Sequence, residues 1–299
     1  MSHRTISFII VTYKSQRDLP GAFDSICQFL DIDKESLEVI VVDNSPEPEA
    51  AETRTITENH PLAGIVSLKY IRNTKNLGYG QGNNVGIEAS RGDLICIMNP
   101  DVCFREPLLK DVLKHFQDNK LGLLGFKQLG GMNYSFYIKP EYRNSIYGFT
   151  TKILNRLDLF FPKYCYLSGA FFFVDKSKFK EVGMFDENIF MYFEEPDIAN
   201  RLQNGGYKIR FNSGKSYLHL VEDRVSWQGT SFHREMESLI YYREKYKINT
   251  HKYYNMMKNE VKIKSLVASL LGDKVRSHKF VQERQMIEDF EGPSKQVSK

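Results

Sequence analysis

The stretch that decides the fold is SFIIVT, residues 7–12, an unbroken apolar run that ends in a polar residue. A second such run, LEVIVV, occupies residues 37–42, and residues 19–30 between them space their apolar side chains as one helix face. Apolar runs joined by helices are typical of parallel strands that are buried on both faces. The first forty residues therefore predict a strand–helix–strand unit of a parallel, doubly wound sheet.

The alternation continues through the first 125 residues. Strands are predicted at 68–71 and 94–98, and helices at 47–59, 84–90 and 108–119. We therefore expect an α/β fold of Rossmann-like type with a mostly parallel central sheet.

After residue 125 the pattern changes. Residues 125–161 are aromatic and irregular. Strands at 168–174 and 208–211 and helices at 195–204 and 232–248 are predicted beyond them. This division suggests one domain over residues 1–248, with halves 1–125 and 126–248.

Residues 249–299 form a basic tail after that domain. Seven Lys and Arg residues between 252 and 279 surround apolar ones, which predicts a helical extension, and the end from residue 291 is expected to be disordered. A basic amphipathic helix can lie on an anionic membrane, whereas the structural alternative is a solvated helix hairpin or a dimer contact.

Composition is that of a globular protein, with 41% hydrophobic and 26% charged residues in 299. The net charge of +4 is weak evidence for nucleic acid, and we expect none as a partner. Four scattered cysteines without a CxxC pair, no signal peptide and no long apolar span predict a cytoplasmic protein with reduced thiols. A membrane-bound substrate would then be reached from the inner surface of the membrane.

Polar residues follow three of the predicted strands. Ligands bind outside the carboxyl ends of strands in such sheets, although polar residues also simply begin turns. The three groups are Thr12-Tyr13, Asp43-Asn44 and Asn99-Pro100-Asp101. Asp101 suits a hard divalent cation that bridges phosphate oxygens. His219, which follows a later strand, is an equal candidate for a metal ligand or a structural histidine.

The stretch MYFEEPDIANRL, residues 191–202, carries the strongest catalytic signal. Glu194, Glu195 and Asp197 stand at a helix start, where acidic residues also serve as caps. The apolar residues that precede them predict partial burial. Burial perturbs the pKa of a carboxyl group in the way that a general base requires.

The stretch NLGYGQGNNVG, residues 76–86, contains four glycines. Glycine lets the backbone approach a phosphate or sugar, and the helix that follows offers its N-terminus to an anion. The stretch is not a P-loop because no GK[ST] follows, and Asn83 stands where a Rossmann fingerprint needs its third glycine.

Together these motifs resemble glycosyltransferase family 2, the inverting enzymes with the A-type nucleotide-sugar fold. The resemblance runs from about residue 7 to residue 246, and its rhamnosyltransferase-like branch is the most similar. It rests on FIIVTYKS, VIVVDNS, NTKNLGYGQGNNVGI, ICIMNPDV, LSGAFFFV, VGMFDENIFMYFEEPDIANRLQNGGY and the histidine of YLHLVEDR.

The resemblance implies a role for each matching residue. Glu195 would be the general base, with Glu194 beside it, and Asp101 and His219 would hold Mg²⁺ or Mn²⁺. Asn99 departs from the aspartate that many members have, and Glu195 stands where an aspartate is usual. The donor nucleotide-sugar would be bound by Thr12, Tyr13, Asp43, Asn76, Gly78, Gly82, Asn84, Asn99, Ser168, Gly169 and Asp197.

The resemblance also implies the reaction. A hexosyltransferase would move a sugar from a dTDP- or UDP-sugar, dTDP-rhamnose among them, to a glycan or lipid-linked acceptor in bacterial polysaccharide synthesis for cell wall or capsule. An inactive carbohydrate- or nucleotide-binding homologue is the alternative. A sugar nucleotidyltransferase is less consistent, because residues 12–15 lack the glycine-rich loop of that class.

Overall fold

The fold is described from a computed structural model that covers residues 4–131, 134–220 and 230–294. The strands are β1 Ile6–Thr12, β2 Leu37–Asp43, β3 Ser67–Arg72, β4 Leu94–Met98, β5 Val102–Phe104, β6 Leu121–Leu129, β7 Phe136–Ile138, β8 Cys165–Leu167, β9 Phe171–Asp175 and β10 Lys208–His219. The helices are α1 Leu19–Phe29, α2 Glu49–Asn59, α3 Gly78–Ala89, α4 Leu109–His115, α5 Tyr147–Arg156, α6 Lys176–Glu181, α7 Glu194–Asn204, α8 Thr230–Lys245, α9 Thr250–Leu270 and α10 Lys274–Ser294.

Eight strands form one sheet in the order β3-β2-β1-β4-β9-β6-β10-β5. The pairs β3-β2, β2-β1, β1-β4 and β6-β10 are parallel, whereas β4-β9, β9-β6 and β10-β5 are antiparallel. The predicted α/β fold with a mostly parallel sheet is confirmed. The antiparallel pairs lie in the second half, where the strict strand–helix alternation of the sequence ends.

Apolar side chains fill both faces of the sheet, which explains the unbroken run in β1. Phe8 and Ile10 point into one core cluster with Phe23 of α1, and Ile9 points into the other with Ile87 of α3. Because successive residues of a strand face opposite sides, a strand covered on both sides must be apolar throughout.

The prediction that residues 125–161 are irregular is wrong in part. Residues Leu121–Leu129 form the central strand β6, and α5 lies further along. Gly122 and Gly125 resemble turn residues in the sequence, so the strand was not predicted. A Cβ on Gly125 would lie 2.8 Å from Leu167, and the glycine therefore makes room for the neighbouring strand β8. The last strand is also longer than predicted and runs to His219.

The C-terminal helices pack on one another around a cluster of their own. Met236 and Leu239 of α8 meet Tyr253 and Tyr254 of α9 and Ile287 of α10. The tail contains the helices α9 and α10, the second of which ends at Ser294, and the disorder from residue 291 stays a prediction. Residues 295–299 lie outside the described part, and the boundary at residue 248 stays a prediction. Within the described ranges, no helix is both long and apolar enough to cross a bilayer.

Candidate active site

The ends of β1 and β2 form a buried polar floor. Thr12 donates from Oγ1 to Oδ1 of Asp43 at 3.0 Å, and Tyr70 donates to Oδ2 of Asp43 at 2.9 Å. Both Thr12 and Asp43 are fully buried, whereas Tyr13 beside them is half exposed. Of these three residues, Tyr13 is therefore the one whose side chain is exposed to solvent. The donor-binding roles of Thr12, Tyr13 and Asp43 stay predictions.

The glycine-rich run is helical, so the helix predicted at residues 84–90 begins six residues earlier than expected. Helix α3 begins at Gly78, whose φ of +80° suits glycine. A Cβ at Gly78 would overlap the carbonyl oxygen of Phe190, and one at Gly82 would lie 2.9 Å from Val11. These two glycines therefore serve close packing between α3 and its neighbours, and their role at the donor stays a prediction.

Two asparagines of the same run also bind protein. Asn84 donates from Nδ2 to the carbonyl of Phe185 at 2.9 Å, and its Oδ1 accepts from the N–H of Phe185 at 3.1 Å. Asn76 accepts from the N–H of Gly78 at 2.9 Å. Both polar atoms of the buried Asn84 side chain are engaged by protein, and its role at the donor stays a prediction. Asn76 is partly exposed, and its role stays a prediction.

Asp101 and His219 lie together although 118 positions separate them in sequence. Antiparallel pairing places His219 opposite Val102, and the N–H of Leu220 donates to the carbonyl of Asp101 at 2.9 Å. Nε2 of His219 is 3.3 Å from Oδ1 of Asp101. Burial raises the pKa of nearby Asp18, and the charge of Asp101 raises it further. Negative charge thus accumulates at this strand end.

The residues fit a divalent cation that has further ligands from a substrate. A carboxylate oxygen and an imidazole nitrogen are both ordinary metal ligands. In the part of the chain that the structure describes, no group of three or more His, Cys, Asp or Glu residues could hold a metal ion alone. Asn99 uses its N–H for the carbonyl of Ala170 at 2.8 Å, so the backbone fixes the turn that carries Asp101.

A strained turn leads into α7. Tyr192 and Phe193 have φ values of +71° and +69°, which non-glycine residues rarely adopt. The Phe193 ring packs against Tyr242 at 5.5 Å, and Ser238 donates to the carbonyl of Met191 at 2.8 Å. Helix α8 therefore holds a conformation that costs energy, as is common where a functional side chain must be positioned.

Glu195 lies directly against Gly169. A Cβ on Gly169 would overlap Oε1 of Glu195 and lie 2.9 Å from its Cδ. Burial raises the pKa of Glu195, and hydrogen bonds from the backbone N–H groups of Glu195 and Gly169 oppose part of that rise. The apolar surroundings include a cavity of about 10 Å³. Its other lining residues are Leu123, Leu167, Phe172, Ile198, Ala199 and Ile209.

Tyr79 completes this group and was missed by sequence reasoning. Its hydroxyl donates to the carbonyl of Gly169 at 2.6 Å. Burial raises the pKa of Tyr79, and the nearby charges of Glu195 and Glu194 add to the effect. Its position inside the glycine-rich run gave no signal, because only the folding of α3 against the β8–β9 connection brings it to Gly169.

Glu194 is buried, and its Oε1 has no hydrogen-bond partner within the described ranges. Burial raises the pKa of Glu194 well above its ordinary value, and the charge of Glu195 raises it further. Burial and the neighbouring charge both favour the neutral form of Glu194, so the two carboxyl groups are not equivalent.

Asp197 is an anchor for the C-terminal helices. The carboxylate is fully buried and accepts from Arg201 at 2.8 Å, from the Lys245 ammonium at 2.6 Å and from the Tyr246 hydroxyl at 2.7 Å. The side chain thus joins α7 to the end of α8, and its role at the donor stays a prediction.

Ser168 belongs to a buried polar cluster. Its Oγ is 3.4 Å from Oε1 of Gln128, which also accepts from the Tyr217 hydroxyl at 2.9 Å. Nε2 of Gln128 is buried and has no hydrogen-bond partner in the described part of the chain. Ser168 and Gly169 thus stand between this cluster and Glu195, and their contact with a sugar stays a prediction.

The fold is the A-type fold of glycosyltransferases, as comparison with solved structures shows. The mannosyltransferase PcManGT of Pyrobaculum calidifontis, solved with GDP-Man and Mn²⁺, has a TM-score of 0.62 at 15% identity, over 95% of this chain and 80% of that one. TarS of S. aureus with UDP-GlcNAc has a TM-score of 0.53 at 15% identity, over 94% and 92%.

Residues 7–183 match the family model described as Glycosyl transferase family 2, so the chain belongs to that family. A low-salt glycan biosynthesis hexosyltransferase of Haloferax volcanii is 23% identical over 211 residues, which are 68% of this chain and 63% of that protein. An uncharacterized protein of Haemophilus influenzae is 28% identical over 125 residues, 40% of this chain and 64% of that one. The matched part thus spans less than two thirds of these relatives.

Proposed function

We propose that this protein is an inverting glycosyltransferase in which Glu195 is the general base. The observation that carries the proposal is the close contact of the Glu195 carboxyl group with Gly169. Burial at this position raises the pKa of Glu195. A base works best when its pKa lies near the working pH, and an ordinary glutamate is too weak for this purpose.

The proposed reaction is a single displacement. An acceptor hydroxyl loses its proton to Glu195 as its oxygen attacks the anomeric carbon, and the bond from that carbon to the nucleoside diphosphate breaks. Attack from the face opposite the leaving group inverts the configuration. Tyr79 holds the carbonyl of Gly169, and the raised pKa of Glu194 favours a single negative charge at the pair.

Asp101 and His219 would hold Mg²⁺ or Mn²⁺, whose charge stabilises the departing diphosphate when the ion is bound. Nε2 of His219 and Oδ1 of Asp101 are 3.3 Å apart, which supports this assignment. The small number of protein ligands also supports it, because Mg²⁺ and Mn²⁺ take further ligands from substrate phosphates. The Mn²⁺ in the mannosyltransferase structure supports it as well. Asn99 adds no charge, so the substrate phosphates would supply more of the coordination than in relatives with aspartate there.

The donor would be a UDP- or dTDP-sugar, with dTDP-rhamnose as one candidate from the rhamnosyltransferase-like sequence pattern. Thr12, Tyr13 and Asp43 would meet its nucleoside. The structures with GDP-Man and UDP-GlcNAc indicate that this fold accepts different bases, so GDP-sugars belong in the test. The acceptor would be a glycan or a lipid-linked sugar of a polysaccharide pathway. Asn99 also supports a second candidate, a binding homologue without turnover.

The test measures binding and hydrolysis of UDP-, dTDP- and GDP-sugars, each with and without Mn²⁺. We expect one nucleotide class to respond, and only with the metal. Glu195→Gln should lower turnover at least about 100-fold and leave donor affinity within threefold, because the base acts after binding. Glu244→Gln, on an exposed side chain, is the matched control. If the wild type and Glu195→Gln both bind the donor and neither turns it over, the protein is instead a binding homologue.

A further inference from the structure

Exposed apolar side chains are concentrated in two segments. Of nineteen large ones that are exposed in the described part of the chain, fifteen lie within residues 142–164 or 263–281. Scattered exposed apolar residues are normal, but a concentration of this kind marks a surface that meets a partner. We call these two segments together the basic apolar surface.

The first segment contains a stripe along α5. Ile146, Phe149, Ile153 and Leu157 recur every three or four residues, so they share one helix face. Phe149 is 64% exposed and Leu157 is 59% exposed. The opposite side of α5 is turned to the protein, where Thr151 is buried. The stripe therefore faces outward and not into the core.

The second segment is the tip of the α9–α10 hairpin. Leu270, Leu271 and Val275 are 87%, 80% and 82% exposed, and Gly272 makes the turn between the helices with a φ of +75°. Leu266 extends the apolar area along α9. A turn that served only to join two helices would carry polar residues here.

The first segment contacts α9 at Glu260, three residues before the second segment begins. The buried Glu260 carboxylate accepts from Arg143 at 2.7 Å and from the N–H of Gly148 at 3.2 Å. Arg143 precedes α5, and Gly148 lies in the first turn of that helix. A Cβ on Gly148 would also lie 3.3 Å from Lys264. The helices that carry the stripe and the tip thus adjoin one another.

The charge of these segments is strongly one-sided. Residues 142–164 and 263–281 together contain eight Lys and Arg residues against two Asp residues, a net of +6. The whole chain has a net charge of +4, so the remainder carries –2. Two copies that met through this surface would bring like charges together, which disfavours self-association. An anionic partner complements the surface.

We propose that the basic apolar surface docks on an anionic lipid bilayer. Its apolar side chains would enter the boundary between headgroups and acyl chains, and its Lys and Arg residues would pair with lipid phosphates. The proposal does not depend on the donor or on the catalytic assignment. It concerns peripheral contact, through the α5 stripe as well as the basic tail.

The test is flotation of the full chain with vesicles of phosphatidylcholine alone or with 30% phosphatidylglycerol. At low salt we expect at least about tenfold stronger binding to the anionic vesicles, and high salt should reduce it because exposed charges are screened. Lys274→Glu/Arg276→Glu/Lys279→Glu should lose most of the binding. The control Lys34→Glu/Lys69→Glu/Lys110→Glu makes the same charge change at exposed positions elsewhere.

Apolar variants separate this proposal from its alternatives. Phe149→Ser and Leu270→Ser/Leu271→Ser should each weaken vesicle binding, whereas Ile65→Ser, at an exposed site outside the surface, should not. These side chains are exposed, so thermal unfolding should change little and donor hydrolysis should persist. Equal binding by all variants would overturn the proposal. So would a concentration-dependent dimer that the leucine changes abolish in the absence of lipid.

Discussion

Gly169 and Glu195 are in such close contact that no side chain larger than hydrogen fits between them. A Cβ at position 169 would lie 2.9 Å from Cδ of Glu195 and would overlap its Oε1. The backbone N–H of Gly169 also donates to this carboxylate. One glycine therefore sets both the place of the proposed base and part of its pKa.

Gly169→Ala tests this relationship. The methyl group should displace the Glu195 carboxylate by about 1 Å, and a shift of that size costs about 100-fold in turnover. Donor affinity should fall much less than turnover, because the base does not hold the donor. Gly64→Ala is the matched control, since a Cβ there meets nothing within 4 Å. Kinetics of donor hydrolysis for both variants measure the effect, and equal rates would contradict the placement of the base.

Asp197→Asn should destabilise the protein. The change removes the charge that Arg201 and Lys245 share inside the protein, and breaking a buried pair costs about 3 kcal/mol of unfolding free energy. Urea denaturation measures the difference. Asp158→Asn, which breaks the half-exposed pair with Lys127, should cost less than about 1 kcal/mol. A stable Asp197→Asn protein with weak donor binding would instead support the predicted role of Asp197 at the donor.

Asp101→Asn should weaken divalent metal binding. The amide that replaces the carboxylate has no charge, so the Mn²⁺ concentration for half-maximal donor hydrolysis should rise at least about tenfold. Paramagnetic resonance of free Mn²⁺, titrated in the presence of UDP, gives a reading that is independent of activity. Asp24→Asn, at an exposed carboxylate, serves as control. Unchanged Mn²⁺ affinity would remove Asp101 from the metal site.

Glu194→Gln should stabilise the protein at neutral pH. The pKa of Glu194 is raised in the folded state, so its favourable contribution exists below the ordinary value of 4.5 and is lost as pH rises through the raised value. The neutral amide removes this loss. The gain in melting temperature over wild type should be near zero at pH 4 and should grow towards pH 8. A constant difference across this range would show that Glu194 is not protonated when folded.

The first half of the fold could be predicted from the sequence, which also proposed Glu194 and Glu195 as the catalytic pair. The strands β1, β2 and β4 were predicted with few errors because burial on both faces makes the whole run apolar. Glu194 and Glu195 were proposed because an apolar run precedes them, and carboxyl groups in such surroundings often have a function. For β6, local pattern failed, since Gly122 and Gly125 resemble turn residues until the side chains that fill their space are known.

The sequence by itself determined which segments are buried and which residue types could do chemistry, because both properties are written in short-range periodicity and side-chain identity. Only the tertiary structure decided what each polar group faces. Asp197 and Glu195 are two residues apart on one helix, yet one meets Lys245 and the other Gly169. Such partners are distant in the chain, and packing of whole elements brings them together, so no local pattern records the choice.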